Sequence, residues 1–262
     1  MCQACAQKFK ENFKNIKSYC KSFLRVLKYR KTKGVDAVVE ILYKSKNAIV
    51  IYKPWGVPSQ SDPSGDPDAM TLASRQLREL GEPDALWLIH RLDRVVGGLL
   101  VFARSKRYAA ILSEQVKDRL LTKEYYAVVD GEAESATLDG YIYKDARLGK
   151  AFVVDRERAG VKHAKLSYRT LASTSTPRGT KTLVYVTLDT GRFHQIRAQL
   201  SAEHHPITGD GKYGSRDNGA RNIALMAAHL SVDLPNERVE VSRLPDLTQY
   251  PWSLFDEDSY KL

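Results

Sequence analysis

The strand-like stretches of this sequence do not alternate regularly with helical stretches. Short runs rich in β-branched and aromatic residues recur between residues 38 and 230, and several follow one another after only a few residues. A doubly wound parallel sheet instead needs a crossover of about a dozen residues or more between successive strands. The pattern therefore predicts an α+β fold with a mixed, mostly antiparallel central sheet that helices flank.

Hydrophobic periodicity and turn residues place the individual elements. Strands are predicted over 38–42, 48–52, 98–103, 125–129, 165–171, 183–188 and 223–230. Helices are predicted over 71–80, over 108–120 and from about residue 193, with loops over 54–68 and 206–214. The sequence between residues 132 and 164 gives no clear pattern, and we assign no element there.

The positive charge of the chain is concentrated at its N-terminus. The formal net charge is +10, and residues 1–34 contain ten Lys or Arg against one acid, which leaves the remainder close to neutral. Apolar residues spaced by three and four between Phe9 and Leu27 predict a basic amphipathic helix there. We therefore divide the chain into a basic extension, 1–37, and a body, 38–262. The extension fits three roles: binding RNA phosphates, lying on an anionic membrane, or packing on the body.

The three cysteines all lie in the extension, at Cys2, Cys5 and Cys20. Cys2 and Cys5 have zinc-ligand spacing but no second Cys/His pair follows nearby, so reduced thiols are the simpler interpretation. No run approaches the roughly 18 apolar residues that span a membrane, and lysines interrupt every apolar stretch near the start. These features predict a cytoplasmic protein that does not enter membranes, and we take a monomer as the default.

Three polar segments are candidates for chemistry. His90-Arg-Leu-Asp93 directly precedes a strand, Thr190-Gly-Arg-Phe-His-Gln-Ile-Arg197 enters a helix, and Pro206-Ile-Thr-Gly-Asp210-Gly-Lys-Tyr-Gly214 is a loop. Each also fits a structural role, such as a turn cap or a surface ion pair. Six histidines are present without metal-ligand spacing, and no glycine-rich nucleotide fingerprint occurs, so we predict neither a metal nor a nucleotide cofactor.

These segments, taken in order, resemble the RluA family of RNA pseudouridine synthases. The resemblance also includes Tyr52-Lys-Pro-Trp-Gly56 and Lys123-Glu-Tyr125-Tyr-Ala-Val-Val-Asp-Gly131, and it spans about residues 38–255. Tyr250-Pro-Trp-Ser-Leu-Phe255 is similar to the closing segment of some Firmicutes members. The sequence differs from the usual family pattern in places, such as Val96-Gly-Gly-Leu99 after Asp93. These differences concern which uridine is modified rather than which reaction is catalysed. Many relatives carry an S4 RNA-binding domain, for which the extension is too short.

The resemblance implies a function and roles for particular residues. It implies an isomerase that converts uridine to pseudouridine in structured RNA, 23S-type ribosomal RNA or tRNA, without a cofactor. Asp93 corresponds to the catalytic carboxylate, Arg197 to its arginine partner, which is expected to lower the carboxylate pKa, and Tyr125 to the tyrosine that stacks on the base. Arg91 corresponds to the residue that enters the RNA as the uridine leaves the stack. The remaining substrate-binding candidates are His90, Arg94, Lys53, Arg192, His194 and Gln195, together with Lys212.

Two other functions remain open at this point. The chain fits a catalytically idle RNA-binding or ribosome-assembly protein on the same scaffold. It also fits a metal-dependent hydrolase built on His90, Asp93 and Asp210. The three family positions Asp93, Tyr125 and Arg197 favour the synthase over the idle protein, whereas insensitivity to a chelator would exclude the hydrolase.

Overall fold

The computed structural model describes residues 39–262. The predicted amphipathic helix and the three cysteines lie outside the described residues, so the interpretations of the N-terminal extension stay predictions. Within the described part of the chain, no helix is both long and apolar enough to cross a membrane.

The described residues form one eleven-stranded sheet with three α-helices. Its strands are β1 (Glu40–Lys44), β2 (Ala48–Lys53), β3 (Trp87–Leu88), β4 (Gly97–Ala103), β5 (Thr122–Asp130), β6 (Ala136–Asp145), β7 (Lys150–Val154), β8 (Val161–Thr176), β9 (Gly179–Leu188), β10 (Leu225–Leu234) and β11 (Glu237–Ser242). The helices are α1 (Ala69–Glu79), α2 (Lys106–Lys117) and α3 (Gln195–Ala202). Three short 3-10 helices cover Gly211–Tyr213, Trp252–Leu254 and Glu257–Tyr260.

The strands follow the order β1-β2-β4-β10-β5-β9-β8-β6-β7, with β3 paired to β4 and β11 to β10. Every pairing is antiparallel except that of β4 with β10, where Gly97 and Gly98 lie opposite Met226 and Ala227. The predicted α+β fold with a mixed, mostly antiparallel sheet is therefore confirmed. The parallel pair brings the start of β4 next to β10 and, one strand further, to β5.

Two helices cover opposite faces of the sheet because β2 and β4 are apolar on both sides. Ile49, Ile51, Leu100 and Phe102 pack in the same core as α1, whereas the intervening residues of both strands pack in a second core with Leu112 of α2. Both helices begin at a side-chain cap, since the Asp68 and Ser105 side chains accept hydrogen bonds from backbone N–H groups of the first turn.

Most predicted elements are present, with ends that differ by a few residues. The strand pair at 38–52 is an antiparallel hairpin, β1 and β2, and the predicted helices at 71–80 and 108–120 correspond to α1 and α2. The unassigned region contains a second hairpin, β6 and β7, whose residues are mostly half-buried or exposed and so give no clear apolar alternation. The third helix begins at Gln195 rather than near Phe193, because His194 adopts a left-handed backbone conformation (φ 52°).

Candidate active site

Asp93 lies in the segment that joins β3 to β4, and buried polar contacts fix this segment. The Ser59 hydroxyl donates to the Leu92 carbonyl at 2.8 Å and accepts from the Leu92 N–H at 3.0 Å. The Val96 N–H donates to the Asp93 carbonyl at 3.0 Å and closes a turn before β4 begins. The side chain of Asp93 remains 23% exposed and points into a cleft of about 1090 Å³.

Lys53 supports the same loop from inside the protein. Its side chain is fully buried, and its ammonium donates to the carbonyls of Pro54 at 3.0 Å, Val57 at 2.7 Å and Arg94 at 3.4 Å. Burial lowers the pKa of Lys53 to about 7, an effect that the charge of Asp93 partly opposes. The prediction that Lys53 contacts substrate is therefore wrong. Its ammonium joins the loop after β2 to the loop of Asp93 through hydrogen bonds and does not reach the surface.

Arg197, in α3, connects Asp93 to a second carboxylate. Its guanidinium donates from Nη1 to Asp93 Oδ2 at 3.1 Å, and from Nε and Nη2 to the two oxygens of Asp210 at 2.6 and 3.0 Å. Asp210 is almost completely buried. Its loop is anchored on β5, since the Thr208 N–H donates to the Val128 carbonyl at 2.9 Å. A bidentate bond to Asp210 thus fixes the orientation in which Arg197 meets Asp93.

The pKa of Asp93 reflects both its burial and the charges of its neighbours. Burial raises the pKa of Asp93 above its usual range, and the opposing effects of Arg197 and Lys53 do not cancel it. Arg197 shares its single positive charge between two carboxylates, and the negative charge of Asp210 itself raises the Asp93 pKa further. Arg197 does lower the Asp93 pKa, as expected, but burial outweighs this effect, so the net pKa of Asp93 is raised.

Tyr125 and Lys123 project from β5 on the same face, because they are two residues apart in a strand. Tyr125 lines the cleft and is 6% exposed; burial, together with the charge of Asp93, raises its pKa, so its phenol keeps its proton. Lys123 also lines the cleft, and burial lowers its pKa. Sequence reasoning gave Lys123 no role, although its spacing from Tyr125 was the signal that places it here.

Apart from Lys212, the other predicted substrate-binding residues line the cleft but differ in what they are free to do. Arg91 is exposed at the rim. Arg94 donates to the Gly56 carbonyl at 2.9 Å and pairs with Asp66, so it fastens the preceding loop. Arg192 is half-buried, and its Nε donates to the His163 carbonyl at 2.8 Å.

Gln195 and His90 make hydrogen bonds to other groups of the protein. The buried Gln195 amide oxygen accepts from the Thr190 hydroxyl at 2.8 Å and from the Arg192 N–H at 3.0 Å, so it organises the turn before α3. His90 Nε2 accepts from the Val101 N–H at 3.3 Å. Burial, with a smaller effect from the charge of Lys123, lowers the pKa of His90 to about 3. These contacts occupy the amide oxygen of Gln195, whose substrate-binding role stays a prediction, and the lowered pKa of His90 keeps its ring neutral.

Cations nevertheless dominate the cleft, although the body of the chain is close to neutral. Among its lining residues three are acidic, Asp62, Asp93 and Asp189. Eight are basic: Arg91, Arg94, Lys117, Arg119, Lys123, Lys144, Arg192 and Arg197. Lys212 is not among them, because its ammonium donates to the Gly149 carbonyl at 2.8 Å outside the cleft. The segregated positive charge fits a polyanionic ligand.

The geometry does not support the hydrolase alternative. Arg197 donates to both Asp93 and Asp210, so a cation already stands between the two carboxylates that would have to share a metal ion. In residues 39–262, no group of three or more His, Cys, Asp or Glu side chains is arranged to hold a metal. Asp210 is the functional partner that sequence reasoning missed, since its loop position did not reveal its bond to Arg197.

Comparison with known protein families decides which family the chain belongs to. A sequence profile described as "RNA pseudouridylate synthase" matches residues 47–202, which include Asp93, Tyr125 and Arg197. The chain belongs to the RluA family of RNA pseudouridine synthases. The RluA-family assignment predicted from the motifs is therefore confirmed.

Individual relatives of this family resemble the chain over most of its length. Ribosomal large subunit pseudouridine synthase D of Borreliella burgdorferi is 30% identical over 72% of this chain, which spans 58% of that relative's length. tRNA pseudouridine synthase C of Haemophilus ducreyi is 30% identical over 83% of the chain and 98% of its own length. The solved structure of human RNA Pseudouridylate Synthase Domain Containing 1 superposes with a TM-score of 0.67 at 26% identity, covering 85% of this chain and 89% of its own.

Proposed function

We propose that this protein is an RNA pseudouridine synthase that isomerises uridine in structured RNA. The observation that carries the proposal is the Asp93–Arg197 pair in a cationic cleft beside Tyr125, in a chain of the RluA family. The reaction breaks the bond between C1′ of the ribose and N1 of uracil, turns the base, and joins C1′ to C5. It is an isomerisation: N1 gains a proton, C5 loses its proton to water, and the composition of the nucleotide is unchanged.

A single reactive carboxylate is sufficient for this reaction. Asp93 either attacks C1′ or stabilises the positive charge that develops on the sugar as the base departs. A glycosidase needs a second free carboxylate to activate water, whereas here water must stay out. The second carboxylate of this site, Asp210, is bound to Arg197 and buried, so it is not available to activate water.

Tyr125 acts on the base rather than on the sugar. Its raised pKa keeps the phenol protonated at neutral pH, so it can donate a hydrogen bond but cannot serve as a base. Its ring lies next to Asp93 in the cleft and gives the flipped uracil a surface to stack on.

The cations of the cleft bind the RNA backbone while the target nucleotide turns out of its stack. Base flipping costs a few kcal/mol, and Arg91, exposed at the rim, is placed to fill the vacated space. Relatives named for ribosomal RNA and for tRNA both resemble this chain, so we propose one of these two classes as substrate. We further propose that the protein acts in the cytoplasm, as a monomer and without a cofactor.

Tritium release tests this function directly. RNA labelled with [5-³H]uridine loses tritium to water when C5 becomes bonded to ribose, so ribosomal RNA and tRNA fractions are incubated separately with the protein. We expect release from one fraction, which then names the substrate class. Absence of release from either fraction, with RNA still bound, would support the catalytically idle alternative.

Replacing Asp210 is expected to shift the pH dependence of turnover. If Asp93 must be ionised, its raised pKa places the acidic limb of kcat/KM above the range of an ordinary aspartate, and activity falls as pH drops through that value. In Asp210→Asn a negative charge next to Asp93 is lost and Arg197 pairs with Asp93 alone. Both changes lower the Asp93 pKa, so the acidic limb moves to lower pH.

The pH profiles of the wild type, Asp210→Asn and Asp66→Asn measure this shift. Asp66 pairs with Arg94 at the rim, so its variant should keep the wild-type acidic limb. An acidic limb that stays in place or moves to higher pH in Asp210→Asn would contradict the electrostatic account of the site.

A further inference from the structure

His194 is held in an unusual backbone conformation next to the reactive carboxylate. Its φ and ψ of 52° and 27° are left-handed, a region that residues with a Cβ seldom adopt. Its side chain makes no capping bond to α3. Strain of this kind persists only where surrounding contacts fix it, and here those contacts are made by the imidazole ring.

The hydroxyl of Tyr213 determines which nitrogen of His194 carries the proton. Tyr213 Oη accepts from the Ala151 N–H at 2.8 Å and lies 2.9 Å from His194 Nδ1. Within residues 39–262 the hydroxyl proton has no other acceptor, so Tyr213 donates it to Nδ1. Nδ1 is then an acceptor, and the proton of the neutral ring is on Nε2.

The protonated nitrogen faces Asp93. His194 Nε2 lies 3.6 Å from Asp93 Oδ2, the same oxygen that accepts from Arg197 Nη1 at 3.1 Å. The separation of 3.6 Å is longer than a hydrogen bond, and catalytic contacts that are long in the free protein tighten in the substrate complex. Asp93 Oδ1 has no hydrogen-bond partner among the described residues, so it is the oxygen left for the nucleotide.

The surroundings keep the His194 ring neutral. Burial lowers its pKa to about 3, and the nearby charges of Arg197, Lys212 and Lys144 act in the same direction, opposed by Asp210. One face of the ring stacks on Phe193, with ring centres 3.8 Å apart, and its edge meets Tyr213. The ring therefore has a fixed position.

We propose that His194 is a positioning residue, with its orientation fixed by Tyr213. Its Nε2–H and the Arg197 guanidinium together hold Oδ2 of Asp93, which presents Oδ1 to the flipped nucleotide. This replaces the predicted role of His194 as a direct substrate contact. The role of His194 in catalysis rests on the proposed function, whereas the protonation state of its ring does not.

Nitrogen NMR of the full chain labelled with ¹⁵N-histidine tests the ring protonation without RNA. The His194 signals are those that disappear in His194→Asn. At pH 7 we expect a neutral ring with its proton on Nε2, and in Tyr213→Phe a mixture of the two neutral forms. A proton on Nδ1, or a charged ring at pH 7, would overturn the proposal even if the protein proves to be a synthase.

A matched pair of variants tests the positioning role. In His194→Asn the side chain tolerates the left-handed backbone and still reaches Tyr213, but it is too short to donate to Asp93. In His194→Gln the longer amide can place an N–H near the former Nε2. We expect His194→Asn to lose about 10- to 100-fold in kcat with KM nearly unchanged, and His194→Gln to recover part of the loss.

The kinetic outcomes separate this role from the alternatives. Wild-type kcat in His194→Asn would overturn the proposal, and so would a raised KM with unchanged kcat, the signature of a substrate contact. Equal losses in both variants, accompanied by lower thermal stability, would indicate a structural role and also overturn it. Should the wild type itself release no tritium, the proposed function fails while the NMR result stands.

Discussion

The Asp93→Asn variant is expected to fold and to bind RNA but to form no measurable pseudouridine. An amide neither attacks C1′ nor stabilises positive charge on the sugar. Loss of one preorganised donor typically costs about 10²–10³-fold in rate, and loss of the reactive charge should cost more. The fold should not suffer, because burial raises the Asp93 pKa and thus disfavours its charged form, while Arg197 keeps its bidentate bond to Asp210.

Tritium release, RNA binding and thermal unfolding of the variant measure these three expectations. Asp189→Asn is the matched control, because Asp189 is an exposed carboxylate in the lining of the same cleft and should tolerate the change. Turnover of Asp93→Asn within about tenfold of the wild type would move catalysis to another residue.

The Gly98→Ala variant is expected to lose about 3 kcal/mol or more of its free energy of unfolding. Gly98 has a φ of 121°, and a Cβ there would lie 2.2 Å from the carbonyl oxygen and 2.5 Å from the nitrogen of Ala227. Backbone atoms of a paired strand cannot move aside as a flexible side chain can. The cost of overpacking, about 1–3 kcal/mol, therefore adds to a conformational cost of about 1–3 kcal/mol.

Chemical unfolding of Gly98→Ala and Gly140→Ala separates this effect from that of any glycine in a strand. Gly140 lies in β6 with an ordinary φ, and a Cβ added there would have no heavy atom within 4 Å, so alanine should be neutral or slightly stabilising. A loss below about 1 kcal/mol in Gly98→Ala would contradict the close approach of β4 and β10.

The sequence predicted those elements in which apolar residues recur at a regular spacing. β2 and β4 are apolar on both sides and α1 has an amphipathic pattern that ends at Gly81, so local periodicity was sufficient. The β6–β7 hairpin was missed because exposed residues such as Tyr143 and Phe152 interrupt the alternation. The start of α3 was misplaced because the left-handed turn at His194 depends on contacts distant in the chain.

The candidate site was predictable in its members but not in their partners. Family motifs pointed to Asp93, Tyr125 and Arg197, which the structure places in one cleft. No local signal showed that the Lys53 side chain points into the protein interior, or that Arg197 pairs with two carboxylates. Those properties arise from tertiary packing: they place Lys53 in the interior rather than at the surface, and they leave the net Asp93 pKa raised although Arg197 lowers it.

The position of β10 sets an order of events during synthesis of the chain. β10 lies between β4 and β5 in the sheet, yet residues 225–234 are made about a hundred residues after β5. A nascent chain therefore holds the two halves of the cleft, Asp93 on one side of the gap and Tyr125 on the other, before the strand that joins them exists. Such long-range pairing is slow to form. The cleft therefore takes its final geometry only after residues 225–234 have been made and have paired with β4 and β5.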